Sequence, residues 1–337
     1  MWSLAHTQQV LDSTASLENP RVVLVGAGFI GFIVLNAMFK KGWSLTVVER
    51  ESQVLPRMLD ADSAGILKGW LESQQVAVHT GTEVKAIREA DGAKVVELAN
   101  GEKIPADLVI LATGIKPNLD FVAGAGLQID QGVLVNDQMQ TNLPGIYAAG
   151  DIAQGPALYS DSAQIHAIQP TAVDHGRVAG ANMTGQEIHY PGSLLMNVVD
   201  VCGMQCASFG AWDDASAEAM TISNEAGRVY RKLLWQGDRI VGAIFLGKPN
   251  DLGMLTDVGM VKGILQTQTP LGEAWKGFLK ENPFDIRRAY IAAGVAQKLA
   301  KTTLLGRPTQ TRKYQFGGPK VATPANPSHQ AYVGTQS

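Results

Sequence analysis

Three glycines and one carboxylate carry the chemistry that this sequence states most clearly. Gly26, Gly28 and Gly31 stand at the spacing G-x-G-x-x-G, and Glu49 follows 18 residues after the last of them. Glycine at the first position allows a tight turn out of a strand. At the second, the missing Cβ lets a pyrophosphate approach the backbone, and at the third it lets a helix pack closely on that strand. The N–H groups at a helix start, here over Phe29, Ile30 and Gly31, bind a diphosphate. A carboxylate at the distance of Glu49, followed by Arg50, accepts hydrogen bonds from an adenosine ribose and repels a 2′-phosphate. The pattern therefore points to NAD(H) over NADP(H).

The elements that must position these residues are legible around them. Val22–Val25 is a four-residue apolar run, the pattern of a strand buried on both faces. A helix is expected to about Phe39, then Lys40-Lys41-Gly42 and a second strand over Ser44–Val48. Val22–Phe39 is free of charge over 18 residues, which alone would suit a membrane helix. The glycine spacing and the strand before it argue for a buried strand and helix instead.

Composition sets the wider bounds. A length of 337 residues predicts two or three domains, and 45% hydrophobic with 18% charged residues describes a soluble chain with ample core. Lys+Arg 28 against Asp+Glu 31 gives a net charge of −3, which points away from nucleic acid and from anionic membranes. The first twenty residues lack the basic start and apolar core of a signal peptide. Cys202 and Cys206 are too few for a closed metal site and read as buried small side chains rather than a redox pair. No metal site is expected, and the cysteine count suits a reducing cytoplasm.

Along the chain, residues 2–18 read as a short helix, Asn19-Pro20 as punctuation, Ser52–Ser73 as a helix and Val76–Val78 as a third strand. A β-meander follows over Val84–Arg88, Lys94–Leu98 and Lys103–Ile104, with Asp91-Gly92 and Asn100-Gly101 as hairpin turns. Asp107–Leu111 reads as a buried strand that returns to the sheet centre and leads into Ala112-Thr113-Gly114 beside the nucleotide. Beyond Tyr190, strands are expected over Leu194–Val201, Ala207–Phe209, Arg228–Trp235 and Arg239–Leu246, and helices over Leu252–Leu265 and Ile286–Ala300. Residues 303–337 lack apolar periodicity and read as a flexible tail.

Strand–GxGxxG–helix–strand–Glu, a meander, and then Ala112-Thr113-Gly114-Ile115-Lys116-Pro117-Asn118 together resemble the NAD domain of the pyridine nucleotide–disulfide oxidoreductase superfamily, the two-dinucleotide-binding flavoproteins. Thr141–Asp151, ending Ala148-Ala149-Gly150-Asp151, resembles that family's second FAD motif, a strand delivering an aspartate to the flavin ribityl chain. Gln169-Pro170-Thr171-Ala172 resembles the start of the helix whose N-terminus points at the flavin pyrimidine edge, where a helix start stabilises negative charge. The segment after Tyr190 resembles the small C-terminal domain of the branch containing NADH:rubredoxin reductase and the nitrite reductase large subunit. There, exposed apolar strands often form a homodimer contact. The NADH-binding subunit of phenylglyoxylate-type oxidoreductase complexes is similar overall.

The resemblance implies an α/β fold in five parts. These are a lead-in helix (1–19), a Rossmann-like NAD(H) domain with a β-meander (20–118), the second half of an FAD domain (119–188), a small α+β C-terminal domain (189–302) and a tail (303–337). It implies hydride exchange between NAD(H) and FAD and electron transfer with an iron–sulfur or other redox protein, with Gly150, Asp151, Gln169, Pro170 and Ala172 at the flavin. No acid–base residue is assigned, since hydride transfer to flavin needs none from these segments.

Three departures qualify this. The family's first glycine-rich FAD unit, with the cysteine pair of its disulfide-reducing branch, is absent from these 337 residues, so a missing segment or a partner subunit is expected to complete the FAD site. Ile33 stands where the family usually has a glutamate near the nicotinamide, and Gln169 stands where many relatives have tryptophan. A second reading, a nucleotide-binding or regulatory module without turnover, follows from the split flavin site. A dehydrogenase acting directly on a substrate would leave the Asp151 motif unexplained.

Overall fold

The computed structural model describes residues 3–90 and 93–301. The chain begins with α1 (Leu4–Thr14), capped by the Ser3 hydroxyl accepting the His6 N–H. It then enters β1 (Arg21–Val25), α2 (Phe29–Phe39), β2 (Ser44–Glu49), α3 (Ala61–Ser73) and β3 (Ala77–Thr80). A meander of β4 (Val84–Ala90), β5 (Ala93–Leu98) and β6 (Lys103–Ala106) leads to β7 (Leu108–Leu111). The order β3-β2-β1-β7 makes a parallel sheet.

The expected strand–loop–helix–strand is therefore found, and Val22–Phe39 is divided between β1 and α2. Among the described residues no helix is long and apolar enough to cross a membrane. β7 does not return to the sheet centre. It pairs with β1 at one edge, and β1 and β2 are the inner strands.

One face of this sheet packs on the meander through Val23, Val48, Val96, Leu98 and Ala106. On the other, Phe32 and Leu35 of α2 and Leu67 and Leu71 of α3 are fully buried with Leu24 and Val47. Each such side chain contributes about 1.5–3 kcal/mol through burial. The hairpin dipeptide Asp91-Gly92 lies outside the described residues, although β4 and β5 pair antiparallel on either side of it.

The helix expected over Ser52–Ser73 forms only from Ala61. Leu55, Met58 and Leu59 have helical spacing, but Leu55 adopts a left-handed φ of 48° and Asp60 caps α3 from an extended backbone. Their apolar character is explained by burial: each is 1–2% exposed.

Residues 119–168 hold short pieces: a 3-10 turn at Asp120–Val122, β8 (Val133–Leu134) parallel to β9 (Ala153–Gln154), and a 3-10 turn at Gly150–Ile152. The strand expected to deliver Asp151 is reduced to an isolated bridge between Gln140 and Tyr147. α4 (Gln169–Met183) then forms as expected, with proline in its first turn.

The C-terminal part is an antiparallel sheet in the order β10-β11-β14-β13-β12. Its strands are β10 (Met196–Val201), β11 (Met204–Gly210), β12 (Glu218–Asn224), β13 (Val229–Gln236) and β14 (Arg239–Gly247). α5 (Leu252–Gln266), α6 (Glu273–Glu281), α7 (Ile286–Ala292) and α8 (Val295–Lys301) follow. The helix expected over Ile286–Ala300 is divided at Gly294, whose φ of 63° ends α7.

Both faces of this sheet carry buried residues. One face of the sheet, with Val199, Val201, Cys206, Tyr230 and Leu246, joins the core of the dinucleotide unit. The other, with Ala207, Phe209, Leu233 and Phe245, packs on α5–α8. The expected tail over 303–337 lies outside the described residues.

Candidate functional site

The three glycines do different work. Gly26 holds a φ of 101°, and a Cβ there would lie 2.5 Å from the Ala112 carbonyl oxygen. A Cβ at Gly31 would meet the Gly26 carbonyl oxygen. Both glycines are required by the chain's own packing. A Cβ at Gly28 would meet no atom within 4 Å, so the space above the second glycine is open. That is the cradle a diphosphate needs. Gly28 also begins α2 without a side-chain cap, whereas Ser3, Asp60 and Asp251 cap α1, α3 and α5. The first-turn N–H groups over Phe29–Gly31 are left for a ligand. These residues fit a dinucleotide.

Glu49 ends β2 and is 9% exposed. Its Oε2 accepts the Ala27 N–H at 2.7 Å and its Oε1 accepts the Glu51 N–H at 2.9 Å. The carboxylate fixes the glycine loop and the turn after β2, and each oxygen keeps a lone pair for a further donor. A cleft of about 730 Å³ is lined among others by Arg50, the next residue along the chain, and by Lys68, His79, Thr80 and Thr82, but not by Glu49 itself. Arg50 itself is exposed and pairs with Glu51 at 2.9 Å.

Ala112 follows β7, and its N–H donates to the Val25 carbonyl at 2.8 Å. This holds Ala112 against Gly26, with Thr113 and Gly114 exposed beyond it. The sheet therefore brings Gly26, Gly28, Phe29, Ile30, Gly31, Glu49, Arg50, Ala112, Thr113 and Gly114 to one end of the parallel strands. Ile33 is 47% exposed on α2.

The flavin-side residues form a second group. Gly150, at a φ of 77°, would place a Cβ 3.5 Å from that of Ala172, so the Gly150–Asp151 turn rests on the first turn of α4. Asp151, Gln169 and Pro170 are exposed together, and Ile168 offers no side-chain cap to α4. This group fits the ribityl and ring end of a flavin. The described residues hold one strand–glycine loop–helix unit, β1–α2, and so offer one cradle that fits a diphosphate. Among them there is no group of side chains that could hold a metal ion.

Sequence reasoning missed the group that ties the site to the rest of the molecule. Asp60 Oδ1 accepts the Ser63 N–H at 3.1 Å and its hydroxyl at 2.6 Å. Its Oδ2 accepts the Tyr230 hydroxyl at 2.6 Å and Lys232 Nζ at 2.9 Å, both from β13. Burial raises the Asp60 pKa, but the hydrogen bonds from Ser63, Tyr230 and Lys232 outweigh it and hold the carboxyl below its ordinary value. The signal in the sequence was Asp60-x-x-Ser63, a helix-capping pattern.

His175, on the inner face of α4, was also missed. It is 1% exposed, packs edge-on against Tyr190 with ring centroids 5.2 Å apart, and has no hydrogen-bond partner on either ring nitrogen among the described residues. Burial, with a smaller contribution from His166, lowers its pKa to about 4. Cys202 and Cys206 are free and buried, as expected. Burial pushes the Cys202 thiol up to about 12 and Cys206 higher still, which suits packing and not redox chemistry.

Comparison with known proteins places this geometry. Residues 3–167 match the pyridine nucleotide-disulphide oxidoreductase family, and residues 196–256 match the rubredoxin NAD+ reductase C-terminal domain. The nitrite reductase [NAD(P)H] of Bacillus subtilis (strain 168) is 27% identical over 239 residues, 70% of this chain and 29% of that protein. The NADH-dependent phenylglyoxylate dehydrogenase subunit epsilon of Aromatoleum evansii is 29% identical over 248 residues, 71% of this chain and 59% of that protein. A solved NAD-dependent persulfide reductase from A. fulgidus superposes with a TM-score of 0.72 at 27% identity, covering 80% of this chain and 52% of that one. The chain thus spans between about three-tenths and six-tenths of the length of these relatives. On its glycine loop, its sheet order and these matches, residues 3–167 are a domain of the pyridine nucleotide-disulphide oxidoreductase family and residues 196–256 a domain of the rubredoxin NAD+ reductase C-terminal type.

Proposed function

We propose that this chain is the NADH-binding part of an FAD-dependent oxidoreductase that exchanges electrons with a redox-protein partner, as a component of a larger assembly or a longer polypeptide. One observation carries the reading: the open backbone above Gly28, at an uncapped helix start, stands beside the Glu49 carboxylate. The diphosphate lies on the N–H groups of Phe29–Gly31. The adenosine ribose meets the free lone pairs of Glu49, with Arg50 and the neighbouring cleft taking the adenosine end.

Asp151 holds the flavin ribityl chain, and the uncapped start of α4 at Gln169-Pro170 faces the ring edge that gains negative charge on reduction. Bound FAD would supply the hydride acceptance and single-electron release that no side chain offers. Ile33 removes a charge that is usual near the nicotinamide, whereas Gln169 puts a more polar side chain at the start of α4 than the usual tryptophan. A second strand–glycine loop–helix, from outside these 337 residues, seats the FAD diphosphate.

The C-terminal domain match supports a small electron-transfer protein as partner. The buried free cysteines suit a reducing cytoplasm.

The test is the visible spectrum of this chain purified alone and with its gene neighbours, followed by NADH-dependent dye reduction. Stoichiometric flavin and turnover are expected only when the second unit is supplied. About one FAD per chain in the isolated protein would overturn the divided-site reading. NADH binding without turnover in a flavin-loaded assembly would favour a regulatory module.

A further inference from the structure

Residues 50–60 leave β2 after Glu49 and enter α3 at Ala61, and both ends of the segment are tied. At the nucleotide end, the Ala27 carbonyl, inside the glycine loop, accepts the Leu55 N–H at 2.9 Å. The Leu55 carbonyl accepts the Leu59 N–H at 3.0 Å, and Gln53 Nε2 donates to the Leu59 carbonyl at 2.7 Å. Leu55 keeps its left-handed φ of 48° with its side chain 1% exposed. A leucine persists there only when its surroundings fix it.

At the far end, the Asp60 carboxylate takes Tyr230 and Lys232 from the C-terminal sheet. A continuous line of hydrogen bonds and packed backbone therefore runs from β13 through Asp60, Leu59 and Leu55 to Ala27. The same Ala27 donates its N–H to Glu49.

We infer that Asp60 is a positioning residue through which the C-terminal sheet sets the glycine loop for nucleotide binding. The inference rests on the NADH reading given above. Donors from β13 hold Oδ2, which holds the turn at Leu59 and the carbonyl contact at Ala27. The ordering of the loop is then complete before the nucleotide arrives, and binding does not bear its entropic cost. Linkage makes this reciprocal: a nucleotide that favours the ordered loop also favours the seated C-terminal sheet.

The experiment compares Tyr230→Phe and Lys232→Met with Tyr159→Phe in the full chain. Tyr159 is the control because its hydroxyl also ties a loop to the C-terminal domain, donating to the Leu265 carbonyl at 2.7 Å, without touching residues 50–60. NADH affinity is measured by calorimetry, thermal midpoint by circular dichroism, and amide exchange of β13 with and without saturating NADH.

Tyr230→Phe and Lys232→Met should each weaken NADH binding by about five-fold or more. Tyr159→Phe, at a comparable fall in thermal midpoint, should leave it unchanged, and NADH should slow exchange in β13 of the wild type. Equal NADH affinity in wild type, Tyr230→Phe and Lys232→Met would overturn the inference and leave the NADH reading standing. An equal loss in Tyr159→Phe would also overturn it, by showing a general loosening. A wild-type chain that binds no NADH would remove both.

Discussion

The Glu49 carboxylate accepts the Ala27 N–H at 2.7 Å across 22 residues of sequence, so the acid at the end of β2 grips the glycine loop directly. The ribose contact proposed for Glu49 would add to this structural role. Replacing Glu49 by Ser would leave the Ala27 and Glu51 donors without their acceptor in a buried setting, at a cost of about 1–3 kcal/mol each. Urea unfolding of Glu49→Ser should show that loss. NADH binding should weaken in the same variant, and the gap to NADPH should narrow because the repelling charge is gone.

The glycines separate folding from binding. Gly28→Val should keep the far-ultraviolet spectrum and melting midpoint of the wild type, since its side chain enters open space, yet lose NADH binding by steric exclusion. Gly31→Ala should do the reverse in part. Its Cβ would strike the Gly26 carbonyl, and relieving such overpacking costs about 1–3 kcal/mol, readable as a lower midpoint.

The thiols should be silent. With both cysteines buried and their pKa values raised, native protein should give no reaction with Ellman's reagent at pH 8, and two thiols per chain should titrate in denaturant. Rapid reaction of the native chain would return the pair to consideration as redox groups.

His175 should make the fold acid-sensitive. Its folded pKa of about 4 lies below the ordinary value of 6.5, so the folded state holds fewer protons between these limits. The contribution is fully present above pH 6.5 and is lost progressively as pH falls towards 4, at up to about 1.4 kcal/mol per pH unit. His175→Phe should flatten the urea-derived stability profile in that window, while leaving it unchanged above it.

Local signals made much of this readable in advance. Four successive apolar residues, glycines at fixed spacing and an acid at the next strand's end each constrain their own neighbourhood, and β1, α2 and β2 formed where they point. The signals that failed were those set by distant partners. Leu55, Met58 and Leu59 mimic a helix turn, but their burial comes from tertiary packing and Pro56 and the Asp60 cap keep the backbone irregular. β12 escaped notice because Glu218–Asn224 is an edge strand with mostly exposed side chains, held by its pairing with β13. α6 was legible in principle from Trp275, Phe278 and Leu279 after Gly272. In the site, the glycine spacing marked the loop, but nothing in the sequence marks a backbone N–H such as that of Ala27 as the partner of Glu49. The Asp60–Tyr230 contact spans 170 residues and becomes visible only once the sheets are packed.

The most direct test of the account is a calorimetric titration of NADH into the full chain, repeated with Gly28→Val. The account predicts saturable binding at a single site in the wild type, weaker binding of NADPH, and no detectable heat in the folded variant. Absence of binding in the wild type, or equal binding in Gly28→Val, would contradict the placement of the nucleotide on this loop.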